Sequence, residues 1–212
     1  MKVIIEDKKR AVEIAVLIIE KLIQKKPNAV LGLATGKTMI PFYKELVSHY
    51  KKGKINFSKI KTFNLDEYVG NNKFHDYMKK NLFSKINIKK ENTHFPSSKI
   101  KTYEKEIRKA GGIDLCLLGI GENAHIAFNE PSSPFNSETG KVITSDKKRA
   151  YTMGIKTILN SKKIILLAWG KEKAKAVHDS LKKKISERVP ASALRKHKDA
   201  TFILDKPASS KL

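Results

Sequence analysis

The 212 residues include one cysteine, one tryptophan and only five arginines. The lone Cys116 excludes a disulfide framework, and no grouping of His, Cys and carboxylates has metal-ligand spacing, so any chemistry is expected to run on acids and bases without a metal. No apolar run approaches the roughly 18 residues of a membrane-spanning helix, and the start, MKVIIEDKK, reads as a first strand rather than a leader. The expectation is a soluble protein of the reducing cytoplasm with no membrane partner. Two nucleotide signatures are missing as well. Leu31 stands where a P-loop needs its first glycine, and Ala124 stands where G-x-G-x-x-G needs its third.

Acidic residues are scarce: 21 Asp and Glu face 44 Lys and Arg, for a net charge of +23. Such a surplus raises the question of a nucleic-acid partner. Lysine carries almost all of it, strewn singly and in pairs along the predicted helices, as at Lys25, Lys26, Lys79, Lys80, Lys182, Lys183 and Lys184. Bidentate base readers and aromatic stacking platforms are lacking. The reading is therefore solvated helix faces and no nucleic acid, with a positive field that draws in anionic small molecules.

What is present is a regular alternation. Strands are predicted at residues 3–5, 29–33, 60–64, 113–118, 164–169 and 201–204, and helices at 7–25, 41–49, 74–83, 100–110 and 172–184. In the first helix the apolar positions Val12, Ile14, Ala15, Ile18, Ile19, Leu22 and Ile23 form a broad stripe. Strands alternating with helices of this length imply parallel pairing through right-handed crossovers. The expected fold is α/β: a single domain over residues 1–212, doubly wound and Rossmann-like, its mostly parallel sheet flanked by helices. Residues 131–148, rich in Ser, Pro, Asn and Gly, read as a long active-site loop rather than a domain boundary.

Four predicted strand ends carry polar groups, the place where ligands sit in open α/β sheets. After the second strand come Thr35, Gly36, Lys37 and Thr38, either an anion cradle at a helix start or a plain strand-to-helix turn. After the third come Asp66 and Glu67. In extended chain these two point to opposite faces, so one can face a cleft as a general base while the other does not; a helix N-cap is the structural alternative. After the fourth comes GIGENAHIAFNEP (119–131), with Gly119, Gly121, Asn123, His125 and Glu130, readable as an active-site loop or as a satisfied loop histidine beside a solvated glutamate. Lys173 follows the fifth strand and could reach the same anion as Thr35–Thr38, though a lysine in this chain is most often only a surface lysine. Taken together, the four segments favour an enzyme acting on a phosphorylated small molecule.

FNLDEYVG (63–70), AHIAFNEP (124–131) and LGLATGKT (31–38) resemble the glucosamine-6-phosphate deaminases, with ordered similarity along nearly the whole chain that includes TMGIKTIL (152–159) and PASALRKH (190–197). The resemblance implies aldose-ketose isomerisation with deamination: an aminosugar phosphate and water give a ketose phosphate and ammonia, a hydrolase/isomerase reaction without a cofactor. It implies that Asp66 carries the C2 proton to C1, that His125 opens the ring with support from Glu130, and that Thr35, Gly36, Lys37, Thr38 and Lys173 hold the phosphate. It also leaves a homo-oligomer open, since members are often oligomers. Three residues depart from the usual pattern. Asn123 replaces a common aspartate, Ala124 a glycine, and Lys37 a small residue. The chain is contracted between Gly70 and Phe74, before Tyr103, and between Asp146 and Tyr151, where most of a lid and its phosphate-clamping arginine are lost; Arg149 is the candidate substitute. A compact, non-allosteric deaminase with an open site is expected. The rival readings are a 6-phosphogluconolactonase-like hydrolase, which needs no base at Asp66, and a non-catalytic sugar-phosphate-binding relative.

Overall fold

The computed structural model describes residues 1–212. Asp7, the last residue before the first helix, accepts from the backbone N–H groups of Lys9 and Arg10, both at 3.1 Å, and starts α1 (Lys8–Lys25). The side chains of the α1 stripe that bury most deeply are Ala11, Val12, Ala15, Val16, Ile19 and Ile23. Helix α2 (Met39–Lys51) buries Met39, Phe42, Tyr43, Leu46 and Val47, a three-and-four spacing along a single face.

The strands of the main sheet are short, and all but Lys61–Asn64 and Thr93–His94 are mostly apolar. β1 (Lys2–Glu6), β2 (Val30–Leu33), β3 (Lys61–Asn64), β5 (Thr93–His94), β6 (Leu115–Leu118), β9 (Lys163–Ala168) and β10 (Ala200–Asp205) make one seven-stranded sheet in the order β1-β10-β9-β6-β2-β3-β5. Every pairing in it is parallel. β2, β6 and β10 are buried along their whole length, as a sheet covered on both faces requires. Helices α3 (Lys73–Asn81), α4 (Ile100–Lys109), α5 (Ile155–Leu159) and α6 (Ala174–Lys182) complete the layers. One hydrophobic cluster of 50 buried residues runs through the molecule. This is the α/β, mostly parallel, helix-flanked architecture expected, and its strand order turns back between β2 and β6, so that a crevice opens beyond their carboxyl ends.

A second sheet was not anticipated. β4 (Asp66–Tyr68), β8 (Arg149–Thr152) and β7 (Gly140–Ile143) form an antiparallel three-stranded sheet in that order. Two expectations are thereby corrected. Asp66 and Glu67 do not end the third strand; Leu65 separates it from β4, which they begin. The segment 131–148 is not all loop, because Gly140–Ile143 pairs with β8 in a hairpin whose polar, partly exposed strands carried too little apolar alternation to be legible. The predicted helix 172–184 is also modified: a 3-10 turn at Lys171–Lys173 precedes α6.

Candidate active site

A cleft of about 730 Å³ lies beyond the carboxyl ends of β2, β3, β6 and β9. Ten of the sequence-predicted residues line it: Thr35, Gly36, Lys37, Thr38, Asp66, Gly119, Gly121, Asn123, His125 and Lys173. The eleventh, Glu130, is not on its wall but stands behind His125 and Asn123.

The β2–α2 turn forms one end of the cleft. None of the backbone N–H groups of Thr35, Gly36, Lys37 and Thr38 donates a hydrogen bond within the protein. Gly36 has φ +110°, a conformation that a side chain would strain. The turn is braced from behind by Tyr77, whose hydroxyl donates to the Gly36 carbonyl at 2.7 Å, and by Trp169, whose indole N–H donates to the Thr38 carbonyl at 2.9 Å. Unpartnered amides at the start of a 13-residue helix, with Lys37 and Lys173 beside them, are suited to an anion such as a phosphate.

Across the cleft, Asp66 is 8 % exposed. Its Oδ1 accepts from the Thr152 hydroxyl at 2.5 Å and from the Phe128 backbone N–H at 3.2 Å. Oδ2 has no protein partner, yet it is not among the occluded polar atoms, so it is the oxygen open to the cleft. Burial pushes the carboxyl up from 3.8 to about 7, with the two hydrogen bonds opposing and the charge of Glu67 adding to the rise. A carboxylate that titrates near neutrality can both take and return a proton. Glu67 points the other way. It accepts from the backbone N–H groups of Tyr68, Phe74 and His75 and so caps the start of α3. Of the two placements open to this acid pair, Asp66 takes the one facing the cleft and Glu67 the one at the helix start.

Gly121 makes room for the third group. A Cβ there would lie 2.3–2.6 Å from the atoms of the His125 ring, so only glycine lets the imidazole lie flat on this turn. Nδ1 of His125 sits 3.4 Å from Glu130 Oε2, close enough for electrostatic attraction but without hydrogen-bond geometry. Asn123 ties the pair together: its amide donates to Glu130 Oε2 at 2.7 Å, and its carbonyl oxygen accepts from the His125 backbone N–H at 3.2 Å. Burial lowers the His125 pKa, with Glu130 opposing and Lys173 adding to the fall. The shift favours the neutral imidazole, the form that can accept a proton. Ala124 takes φ +66°, the left-handed conformation that its side chain disfavours. Hydrogen bonds from Ala124 N–H to the Gly121 carbonyl and from Ala191 N–H to the Ala124 carbonyl, each 3.0 Å, hold it there.

Arg149 does not reach the cleft. It lies on β8 in a separate pocket with Tyr68, Val69, Asn71, Lys73 and Lys148. The cations lining the cleft are Lys37 and Lys173. Sequence reasoning assigned no role to Phe74, Phe128, Ser145, Glu172 or Thr152. The first four line the cleft, Phe74 and Phe128 as neighbouring rings with centroids 5.8 Å apart, while Thr152 supports it from β8. Phe128 and Thr152 are tied to the second sheet and Phe74 and Ser145 follow its strands, which left no periodic signal, whereas Glu172 lies in the 3-10 turn after β9. Cys116 is buried and its thiol pushed up to about 12 by that burial, which leaves it inert.

Residues 7–203 match the profile of the family described as glucosamine-6-phosphate isomerases/6-phosphogluconolactonase. The chain is 44 % identical to a glucosamine-6-phosphate deaminase of Thermoanaerobacter sp. (strain X514), over 99 % of this chain and 94 % of the relative. It is 47 % identical to one of Clostridium botulinum (strain Langeland), over 88 % of each. The first alignment runs over 243 positions against a chain of 212 residues, so that relative carries segments absent here. A solved structure described as a monomeric glucosamine-6-phosphate deaminase superposes with a TM-score of 0.96 at 38 % identity, covering all of both chains. The fold is also that of the 6-phosphogluconolactonase of Thermotoga maritima, with a TM-score of 0.82 at 24 % identity.

Proposed function

The chain belongs to the glucosamine-6-phosphate isomerase/6-phosphogluconolactonase family, and from that premise we propose that its cleft converts glucosamine 6-phosphate and water to fructose 6-phosphate and ammonia. The observation that carries this reading is the buried Asp66, with one oxygen tethered and the other open to the same cleft as His125 and the Thr35–Thr38 turn. In this reading the phosphate lies on the free amides of residues 35–38 and on Lys37 and Lys173, which anchors one end of the sugar. Neutral His125 exchanges a proton through Nε2 with the ring oxygen or anomeric hydroxyl and so opens the ring, with Glu130 behind it to stabilise the imidazolium. Asp66 Oδ2 then removes the proton from C2 of the open aldehyde and returns it to C1. As a proton of the amine passes to O1 and makes the aldehyde oxygen a hydroxyl, the amine-bearing C2 is left as an imine, which adds water and releases ammonia as C2 becomes a ketone. One base shuttles one proton between adjacent carbons, and no step calls for a metal or cofactor.

The lactonase reading is the weaker one. Lactone hydrolysis needs no base for a carbon-bound proton, and the likeness to the Thermotoga maritima lactonase, at 24 % identity, is one of fold alone. Loss of the lid arginine is offset here by Lys37, a cation already at the phosphate turn. Each group named comes from a single chain. No helix is long and apolar enough to cross a membrane, and we assign the reaction to the cytoplasm because the one cysteine is free. The test is ammonia release from glucosamine 6-phosphate and galactosamine 6-phosphate by the purified protein, with 6-phosphogluconolactone hydrolysis assayed in parallel. Ammonia from the glucosamine ester, abolished in Asp66→Asn, is the expected result. Lactone hydrolysis that persists in Asp66→Asn, without ammonia release by either protein, would reverse the assignment.

A further inference from the structure

Thr152 pairs with Asp66 across the β4–β8 ladder and is 1 % exposed. Its hydroxyl oxygen accepts from the Phe128 N–H at 2.9 Å and lies 2.5 Å from Asp66 Oδ1. A hydroxyl has one proton and two lone pairs, so while Phe128 occupies a lone pair the proton remains for Oδ1. An ionised carboxylate cannot donate, and the direction of the Thr152–Asp66 bond is thereby fixed whenever Asp66 is a competent base. β8 is itself anchored to the catalytic loop: Asn129 donates to the carbonyls of Met153, at 2.9 Å, and Ile126, at 3.0 Å.

We infer that Thr152 is a positioning residue for the isomerisation: its hydroxyl pins Oδ1 of Asp66 and so presents Oδ2 to the cleft as the oxygen that carries the proton. This rests on the reading of Asp66 as the base. Removing the hydroxyl frees the carboxyl to rotate and withdraws a donor that favours its ionised form. The ionisable groups near Asp66 are Glu67 and Tyr68 on β4, Tyr103 from α4, Cys116 from β6 and His125 across the cleft. Tyr68, Tyr103 and Cys116 all have raised pKa values and stay neutral at working pH, and Glu67 is held by three backbone amides. A shift in the limb belonging to Asp66 therefore reports on Thr152, and His125 gives a second limb that should not follow it.

The experiment measures kcat/KM for glucosamine 6-phosphate by ammonia release, from pH 5 to 9.5, in Thr152→Val, Thr152→Ala and Thr152→Ser, with melting curves of each. Valine keeps the shape and suits a strand, and alanine covers the case in which valine packs badly. In both, the Asp66 limb should move up by about one to two pH units, the worth of one hydrogen bond to an ionised carboxylate. Activity at pH 7 should fall roughly tenfold or more and recover toward pH 9.5, whereas serine should restore the wild-type profile. A loss that is uniform in pH, with the limb unmoved, would overturn the proposal, and so would a serine variant that behaves like valine. Asp66→Asn separates the two levels. If that variant keeps its activity, the base assignment itself is wrong; if it is inactive while Thr152→Val leaves the limb in place, only the positioning role falls.

Discussion

Replacing Asp66 with asparagine should make the protein more stable at alkaline pH while sharply reducing turnover. Burial holds the Asp66 carboxyl at about 7 instead of 3.8, so the folded state binds its proton more tightly than the unfolded state does. The sign follows from that difference: stability falls as pH rises from about 3.8 to about 7 and is level above, because the unfolded chain ionises first. At about 1.36 kcal/mol per pH unit the full penalty approaches about 4 kcal/mol above pH 7 and vanishes near pH 4. Asparagine keeps an oxygen that accepts from Thr152 and Phe128 but carries no charge to desolvate. Thermal or denaturant unfolding of wild type and Asp66→Asn should therefore agree at pH 4 and diverge by up to about 4 kcal/mol at pH 8, equivalent to roughly 8–16 °C in Tm for a chain of this size. Ammonia release should drop about 10²–10⁴-fold, the range for loss of a positioned base. A stability difference that is the same at pH 4 and pH 8, or a variant less stable at pH 8, would refute the claim that this carboxylate is strained by burial.

Gly121→Ala puts a methyl carbon where the His125 ring lies, so it should cut kcat by about 10²-fold or more while costing about 1–3 kcal/mol of stability; an active variant would show that the ring is free to move. Ala124→Gly relieves the left-handed strain at φ +66° and should raise stability by about 1 kcal/mol with activity intact, as read from chemical denaturation. Lys173→Met and Lys37→Met should each raise KM for the sugar phosphate by about tenfold or more, whereas Arg149→Met, whose side chain lies outside the cleft, should leave KM unchanged.

Most of the main sheet was legible because its strands are continuous apolar runs bounded by turns, and because α1 and α2 bury regular stripes. Helix and strand ends were displaced by at most two residues, as at α2, which starts at Met39 rather than residue 41. The antiparallel β4–β8–β7 sheet was not legible. Its strands are three or four residues long, and β7 has one side solvated, so neither period rises above the background. That sheet carries Thr152, and with it the detail of how Asp66 is held.

The sequence by itself determined which groups are available for chemistry: the Thr35–Thr38 turn, the acid pair at 66 and 67, His125 in the loop opened by Gly119 and Gly121, and Lys173, all in segments that follow strands of the main sheet because a parallel sheet delivers its loops to one edge. Only the tertiary structure decided their division of labour. It turned Glu67 to a helix start and Asp66 to the cleft. It set Glu130 behind the imidazole instead of on the wall, and it placed Lys37 inside the cleft and Arg149 outside. The reason is physical. A residue's type fixes what proton or charge it can carry, whereas burial and the partner on the neighbouring strand fix at which pH it carries it and toward what it points.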